Sequence, residues 1–304
     1  MYKRQIEEDN PELLKAKALG IPTMHRSELL AKHVAEHRTI AVSGTSGKST
    51  TTAMVYDILA FAGLSPSVIT GAAILSLQRE QGVFGNVYKG ESDILVIEAD
   101  ESDGSIVKYH PHLGLCLNLQ KDHKEIDILQ GYFKEFISHC KTAIINAEEE
   151  NLRVLAPQAK TFGLSLGDVH PTEIKVDGFG SDFTIQGQPF RLHIPGLHNV
   201  CNAVAAVSAA LQMGVDLDTC AKALNKFQGI ARRFASVGSY DKIEVVDDFA
   251  HNPHKLGATI AAAHLRGKRV LAFYQPHAFT SVKMLAPEFV ESFAKHIGPE
   301  DHLW

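Results

Sequence analysis

A glycine-rich segment in the first fifty residues combines the residue types that bind phosphate. It reads Gly44-Thr45-Ser46-Gly47-Lys48-Ser49-Thr50 and follows an apolar run. Glycines let backbone N–H groups wrap a phosphate at the start of a helix, where the helix dipole favours anions. Lys48 can then bridge the β- and γ-phosphates, and the Ser49 hydroxyl can ligate Mg²⁺. The segment predicts a phosphate-binding loop, and a plain glycine turn is the weaker alternative.

The residue six positions before Lys48 bears on the class of nucleotide-binding protein. Kinase and GTPase loops have a glycine there, whereas this chain has Val42. A P-loop kinase, which would give a phosphorylated rather than a condensed product, is therefore disfavoured.

Carboxylates crowd the end of a second apolar run, 94–98, where Asp100, Glu101 and Asp103 follow Glu98 within five residues. Ligands of open α/β sheets bind at the carboxyl ends of strands. Neighbouring carboxylates repel one another unless a cation neutralises them, so the crowding favours bound Mg²⁺. A solvated acidic loop explains Asp100 or Asp103 about equally well, but it explains Glu98 less well.

The elements that must position these residues alternate short β-branched runs with amphipathic stretches, which predicts an α/β fold with a mainly parallel sheet. Glycines and prolines between 174 and 194 predict antiparallel hairpins instead of crossovers. The predicted strands are 39–43, 67–70, 93–98, 113–119, 142–146 and 160–162, and the predicted helices are 49–61, 128–139, 199–213 and 218–227.

The last seventy residues predict a new strand-helix-strand series, the beginning of a Rossmann-like α/β domain. Its strands are 243–247 and 269–274, and its helices are 253–265 and 288–296. Two strands are too few for an independently stable sheet, so we expect this domain to be cut short.

The phosphate loop and the acidic run resemble the Mur ligase family. Residues 41–52 are similar to the family's Gly-Thr-x-Gly-Lys-Thr/Ser core, which threonines follow. Residues 98–105 are similar to the Glu-Ala-Asp-Glu-Ser-Asp motif of the branch that attaches the first amino acid to UDP-N-acetylmuramate. Asn118 and Asp122-His123 resemble the family's Thr-Asn-x-x-x-Asp-His. The resemblance implies that Glu98 and His123 ligate Mg²⁺, and a plain surface histidine is the alternative for His123.

A third segment, 195–203, is similar to the family's Gly-x-His-Asn-x-x-Asn-Ala. The resemblance implies that His198, Asn199 and Asn202 belong to the nucleotide site, with the asparagine amides on adenine. An asparagine amide offers both a donor and an acceptor to adenine's edge. Asn199 is also a good helix N-cap, and both roles can hold. Asn202, three residues on and on the same helical face, is explained less well by capping.

Three later motifs extend the resemblance toward the carboxyl end. Arg232-Arg233-Phe234 is similar to the family's Arg-Arg-Phe, 247–253 to its Asp-Asp-Tyr-Ala-His-His-Pro, and Gln275-Pro276-His277 to the Gln-Pro-His of the muramate-alanine branch. A guanidinium at Arg233 could neutralise charge on the transferring phosphoryl group. The resemblance implies that Asp248 and His251 contact nucleotide or substrate.

The chain also departs from this branch at the positions nearest to its substrates. Ser46 replaces a usual histidine, Phe249 a tyrosine and Asn252 a histidine, and 278–281 lack the expected arginines and tyrosine. The resemblance therefore favours L-alanine as the amino acid without fixing it.

The resemblance implies a domain division and a reaction. Residues 1–36 would be the remnant of an N-terminal UDP-binding domain, 37–232 the central ATP-binding domain and 233–304 part of the C-terminal domain. The reaction would be ATP- and Mg²⁺-dependent amide formation between a UDP-N-acetylmuramate-like nucleotide sugar and an amino acid, through an acyl phosphate, in peptidoglycan precursor synthesis. The implied catalytic residues are Lys48, Glu98, His123 and Arg233.

Other members of the family and a non-catalytic role remain as alternatives. A sister ligase would join a tripeptide to UDP-N-acetylmuramate, or would extend folate or cyanophycin with amino acids. A homologue that only binds ATP is the alternative from another class.

Composition excludes several further classes. A net charge of −5 provides no basic field for nucleic acid. No apolar run approaches the roughly 18 residues of a membrane span, and the first residues lack the apolar core of a secretory signal, so we expect a cytoplasmic protein. We expect the four cysteines to be reduced core residues and the sixteen histidines to form no zinc site.

Overall fold

Strands and helices alternate through most of the residues that the computed structural model describes, which are 9–120, 125–276, 282–283 and 285–304. The helices are α1 (Pro11–Ala18), α2 (Arg26–Glu36), α3 (Lys48–Phe61), α4 (Leu75–Gln81), α5 (Ile126–His139), α6 (Glu150–Leu155), α7 (Leu197–Gln212), α8 (Leu217–Lys226), α9 (Pro253–Arg266) and α10 (Ala286–His296). The strands are β1 (Arg38–Ser43), β2 (Ser67–Ile69), β3 (Val87–Tyr88), β4 (Ile94–Glu98), β5 (Leu113–Cys116), β6 (Thr142–Asn146), β7 (Lys160–Phe162), β8 (Pro171–Val176), β9 (Ser181–Ile185), β10 (Gln188–Leu192), β11 (Ala235–Tyr240), β12 (Ile243–Asp247), β13 (Leu271–Ala272) and β14 (His302–Leu303).

The main sheet has seven strands in the order β3-β2-β4-β1-β5-β6-β7, and only β3 runs antiparallel to its neighbour. The central strand β1 pairs with β4 and β5, with Val42 opposite Glu98 and Ser43 opposite Cys116. The carboxyl ends of three strands therefore meet at one edge, directly before the phosphate loop. The predicted α/β class is confirmed.

Helices cover both faces of this sheet. On one face α3 packs against the sheet and also against α7 and α8, which explains why it is apolar nearly all round. On the other face α2 and α5 pack, with Phe133 and Phe136 of α5 fully buried. Burying each such side chain contributes about 1.5–3 kcal/mol before entropy is counted. The rigid sheet edge that carries the candidate site rests on these two layers.

The region between α6 and α7 forms the predicted antiparallel hairpins, with β9 between β8 and β10. Phe183 of β9 and Phe190 of β10 stack with ring centroids 5.3 Å apart, and both lie in the core that α7 and α8 complete. The four cysteines are free, with Cys116 and Cys220 buried, as predicted.

The carboxyl-terminal region differs from the prediction of two strands, because its described residues form four. The two extra strands are β11, which pairs antiparallel with β12, and β14, which pairs parallel with β13. Most of the hairpin β11–β12 is exposed, with Val237 65% and Tyr240 80% accessible, so its sequence lacks the apolar alternation of a covered strand. The sequence also did not predict helices α1, α2, α4 and α6 or strand β3. Strand β5 ends three residues earlier than predicted. The division into three domains stays a prediction.

Across the described part of the chain, no helix combines the length and apolar character that crossing a membrane requires.

Candidate nucleotide and metal site

The phosphate loop joins the end of β1 to the first turn of α3, and its glycines are required by close packing. Gly47 has φ +84°, and a Cβ there would lie 2.5 Å from Asn202 Oδ1. Gly44 has φ +148°, and a Cβ there would lie 2.9 Å from the Leu117 Cβ. Gly47 is the N-cap of α3 and provides no side-chain hydrogen bond to it. The first N–H groups of α3 therefore point at a position suited to an anion.

Asn118, two residues beyond the end of β5, holds the loop in shape. Its Oδ1 accepts hydrogen bonds from Thr45 Oγ1 and Ser46 N, both at 2.8 Å, and its Nδ2 donates to Ser46 O at 3.0 Å. Its backbone carbonyl also accepts from Thr45 N at 3.3 Å. A loop fixed by one side chain in this way is ordered before any ligand arrives.

Lys48 is held between the loop and the acidic run that follows β4. Its Nζ donates to Gly44 O at 2.6 Å and to Glu101 Oε2 at 2.8 Å, with Asp100 Oδ1 at 3.8 Å. Burial acts to lower the pKa of Lys48, but the charges of Glu101 and Asp100 outweigh it and raise the pKa above that of a free lysine. The ammonium therefore stays charged at neutral pH, beside the loop and the first turn of α3.

Glu101, which the sequence placed in the acidic run without a role of its own, is the main additional residue of the site. It is only 3% exposed and neutralises Lys48 directly. A signal was present, because Glu101 follows the strand beside β1 and so shares an edge with Lys48. Its pairing with Lys48, instead of with solvent, depends on the path of the loop after β4, which no local pattern reveals.

Glu98 and Ser49, two of the predicted Mg²⁺ ligands, are in contact. Glu98 Oε2 accepts hydrogen bonds from Ser49 Oγ at 2.9 Å, from Thr70 Oγ1 at 3.1 Å and from Gly71 N at 2.8 Å. Thr70 was not predicted as a site residue. The third predicted ligand, His123, lies outside the described residues.

The residues at this position fit a magnesium ion. A carboxylate and a hydroxyl oxygen, placed beside the start of a phosphate-binding helix, are the hard ligands that Mg²⁺ prefers. A Cβ at Gly71 would lie 3.0 Å from Glu98 Oε2, so a residue with a side chain would crowd the carboxylate. Ser49 and Glu98 are therefore the residues that would hold the ion.

The predicted adenine residues lie at the start of α7, against the phosphate loop. Asn199 Nδ2 donates to Pro195 O at 2.7 Å, and Asn202 Nδ2 donates to Asn199 Oδ1 at 3.3 Å. Both asparagines are buried, while His198 is exposed. The alternative of Asn199 as an N-cap is wrong, because α7 begins at Leu197 and Gly196 is its N-cap. Contact with adenine stays a prediction.

A second cluster contains Arg233, Asp248 and His251. In the described part of the chain, its hydrogen bonds join only residues within 232–259. Arg233 Nη1 donates to Phe249 O at 3.5 Å, and His251 Nδ1 donates to the same carbonyl at 2.9 Å. Asp248 accepts from Phe234 N at 2.7 Å and from Thr259 Oγ1 at 3.1 Å. Burial lowers the pKa of His251 to about 4, so this imidazole is neutral at pH 7. The roles implied for these three residues stay predictions.

Comparison with known proteins identifies the family. Residues 42–210, more than half of the chain, match the Mur ligase middle domain. The chain belongs to the Mur ligase family. The phosphate loop, Glu98, Asn118 and the asparagines of α7 all lie within the matched residues.

Curated relatives of this Mur ligase chain include two ligases whose names state their substrates. The UDP-N-acetylmuramate–L-alanine ligase of Solibacter usitatus is 36% identical over 95% of the chain and 64% of the relative. The ligase of the same name from an Arthrobacter species is 37% identical over 94% of the chain and 64% of the relative. The chain thus spans slightly less than two thirds of the length of these relatives.

Solved structures of Mur ligases agree with the fold. UDP-N-acetylmuramate-alanine ligase MurC from Thermotoga maritima superposes with a TM-score of 0.83 at 26% identity, over 99% of this chain and 75% of that one. A murein peptide ligase from Psychrobacter arcticus superposes with a TM-score of 0.72 at 26% identity, over 90% of this chain and 65% of that one. The resemblance seen in the sequence is confirmed.

The departures of this Mur ligase chain from the muramate-alanine branch have local structural roles. Ser46 is exposed, and its backbone bonds to Asn118. The Phe249 ring lies 4.6 Å from the Arg232 guanidinium, a cation–π contact. Asn252 is the N-cap of α9, with its Oδ1 accepting from Lys255 N at 2.9 Å. Asparagine is among the best residues for that capping position.

Proposed function

We propose that this chain contains the nucleotide-using and ligating part of an ATP-dependent ligase that joins UDP-N-acetylmuramate to L-alanine. The observation that carries the proposal is the convergence of Lys48, Ser49 and Glu98 at the start of α3. The substrates named for the relatives from Solibacter usitatus and an Arthrobacter species support this pair of reactants.

The chemistry divides into two displacements. A carboxylate oxygen of the muramate attacks the γ-phosphorus of ATP, and the bond from this phosphorus to the β–γ bridging oxygen breaks. ADP departs, and the muramate carries an acyl phosphate. The amine of L-alanine then attacks the acyl carbon, phosphate departs, and the nitrogen loses a proton to give the amide. Charge accumulates on phosphate oxygens in the first step, so neutralisation by fixed positive groups provides most of the acceleration.

The chain's own groups are arranged for the first step. The N–H groups at the start of α3 bind phosphate oxygens, and Lys48 adds a fixed positive charge beside them. Glu101 and Gly44 O hold two of the ammonium protons, which leaves the third to donate to a phosphate oxygen. A Mg²⁺ ion held by Ser49 and Glu98 would neutralise further charge on the transferred group. We further propose His123 as a ligand of that ion, and Arg233 as a second cation near the transferred phosphoryl group.

The test is phosphate release by the chain in the presence of ATP, Mg²⁺, UDP-N-acetylmuramate and L-alanine, with the amide product measured by mass. Lys48→Ala should reduce the rate at least about a hundredfold, because it removes a charge that acts on the transition state. Lys222→Ala is the matched control, since this exposed lysine pairs with Asp218 on α8. Unchanged turnover in Lys48→Ala would contradict the proposal.

A sister activity is the second candidate, supported by the similarity to the murein peptide ligase of Psychrobacter arcticus. Replacing L-alanine by a tripeptide in the same assay separates the two activities. L-Alanine should give product at low concentration, while the tripeptide should give none. A tripeptide product alone would assign the chain to the second activity. ATP binding with no amide from either acceptor would favour the non-catalytic alternative.

A further inference from the structure

The last turn of α2 carries three metal-ligating side chains outside the nucleotide site: His33, Glu36 and the C-cap residue His37. We infer that they form a binding site for a divalent transition metal, with Zn²⁺ as the representative ion. His33 and His37 have the His-x-x-x-His spacing of a zinc site, so this inference departs from the expectation that the histidines form none.

Helical geometry brings the three ligands to one face. Residues three and four apart on a helix are neighbours, and one ligand atom of each of these residues lies within 4.8 Å of the other two. His33 Nδ1 is 3.9 Å from Glu36 Oε2. A tetrahedral Zn²⁺ needs ligand atoms about 3.4 Å apart, given bonds near 2.1 Å. The side chains of His33 and Glu36 are 47% and 67% exposed, so rotation about their own bonds can close the difference.

One hydrogen bond selects the tautomer that a neutral His37 ring needs for metal binding. Its Nδ1 donates a hydrogen bond to the His33 carbonyl at 2.8 Å, which leaves Nε2 with the lone pair. Histidine ligands of metals usually make such a bond through the other ring nitrogen, because it fixes the tautomer and orients the ring. The two rings are already in an edge-to-face arrangement, with centroids 6.3 Å apart.

The ligand set selects among cations. Two imidazoles and one carboxylate suit Zn²⁺, Ni²⁺ or Cu²⁺, whereas Mg²⁺ prefers the all-oxygen position at Glu98. Three protein ligands leave a fourth position to water. A bound ion would link the last turn of α2 to the residue directly before β1, the strand that leads into the phosphate loop. Occupancy therefore stabilises the α2–β1 junction.

The test is a titration of the full chain with Zn²⁺ against a chromophoric zinc chelator, in excess Mg²⁺ to occupy the position at Glu98. The wild-type chain should bind one equivalent with micromolar affinity. His33→Gln and His37→Gln should each weaken that binding at least about tenfold. At a tenfold excess over its dissociation constant, Zn²⁺ should raise the melting temperature by about 3 °C.

His170→Gln is the matched control. His170 is exposed and donates from Nδ1 to a backbone carbonyl, that of Gly167 at 2.8 Å, but it belongs to no such group of ligands among the described residues. Its loss should leave the titration unchanged. Two results would overturn the inference: stoichiometric binding that survives in the His33→Gln/His37→Gln double variant, or wild-type binding no tighter than millimolar.

Discussion

The two motif-bearing regions of the chain are built in different ways. At the edge of the main sheet, hydrogen bonds from the phosphate loop, the end of β2, the end of β4 and the residues after β5 join into one largely buried network. In the cluster of Arg233, Asp248 and His251, the described bonds connect segments within 232–259, beside a hairpin that is mostly exposed.

The difference predicts where substitutions act strongly. A polar group that several distant segments hold in place has little freedom, so its removal leaves other buried groups without partners. A locally bonded, exposed segment can adjust at small cost. We therefore expect effects on activity and stability to be large at the sheet edge and small along the hairpin.

Among substitutions that separate the two regions, Glu98→Gln should have the largest effect on activity. The amide oxygen can still accept from Ser49, Thr70 and Gly71, but the charge that we propose to ligate Mg²⁺ is lost. Phosphate release should fall by about 10²-fold or more, with the melting temperature nearly unchanged. Glu148→Gln is the control, because Glu148 also accepts several hydrogen bonds at one carboxylate oxygen, from the backbone N–H groups of Leu164 and Ser165. Equal losses of phosphate release in both variants would contradict a specific metal-binding role for Glu98.

Glu101→Gln should have the next largest effect and a distinctive pH dependence. Glu101 helps to keep the pKa of Lys48 raised. In the wild type the ammonium therefore stays charged until the pH exceeds the pKa of a free lysine. Without that carboxylate, burial lowers the pKa of Lys48 and the charge is lost at lower pH. Activity should drop about tenfold at pH 7.5, and its alkaline limb should move to lower pH. A pH profile parallel to that of the wild type would show that Glu101 does not position Lys48.

Gly47→Ala tests the packing of the phosphate loop through stability. The added Cβ meets Asn202 Oδ1 and also occupies a left-handed conformation, so unfolding should become easier by about 2–3 kcal/mol. Gly63→Ala is the matched control, with φ +77° and nothing within 4 Å of the added Cβ, and should cost only about 1 kcal/mol. Chemical denaturation of both variants measures the difference. Equal costs would mean that the contact with Asn202 is unimportant.

The smallest effect is expected in the exposed hairpin. Val245 is 48% accessible, so Val245→Ala should change the free energy of unfolding by less than about 0.5 kcal/mol. Val96→Ala in β4, at a fully buried position, should cost about 2–4 kcal/mol. A large cost at Val245 would show that the hairpin is covered in solution, and the contrast between the two regions would fail.

The sequence predicts the sheet edge well because its signals are local. Apolar strands of five or six residues end in chemically distinctive side chains, and parallel pairing brings Ser49 and Glu98 to one edge. The Lys48–Glu101 pair could not be predicted, because it depends on the path of the loop that carries Glu101, 53 residues away along the chain. Strand β11 was not predicted from the sequence for a different reason. The register shift between Ser236 and Gly238 and the exposure of the strand remove the alternation that identifies strands.

The central claim is that Lys48, Ser49 and Glu98 form one nucleotide-phosphate site. A crystal structure of the chain with Mg²⁺ and a non-hydrolysable ATP analogue tests it most directly. We expect a γ-phosphate oxygen within hydrogen-bonding distance of Lys48 Nζ and a metal ion bound by Ser49 Oγ and the Glu98 carboxylate. A nucleotide bound elsewhere, with Lys48 still on Glu101 and no metal at Glu98, would contradict it.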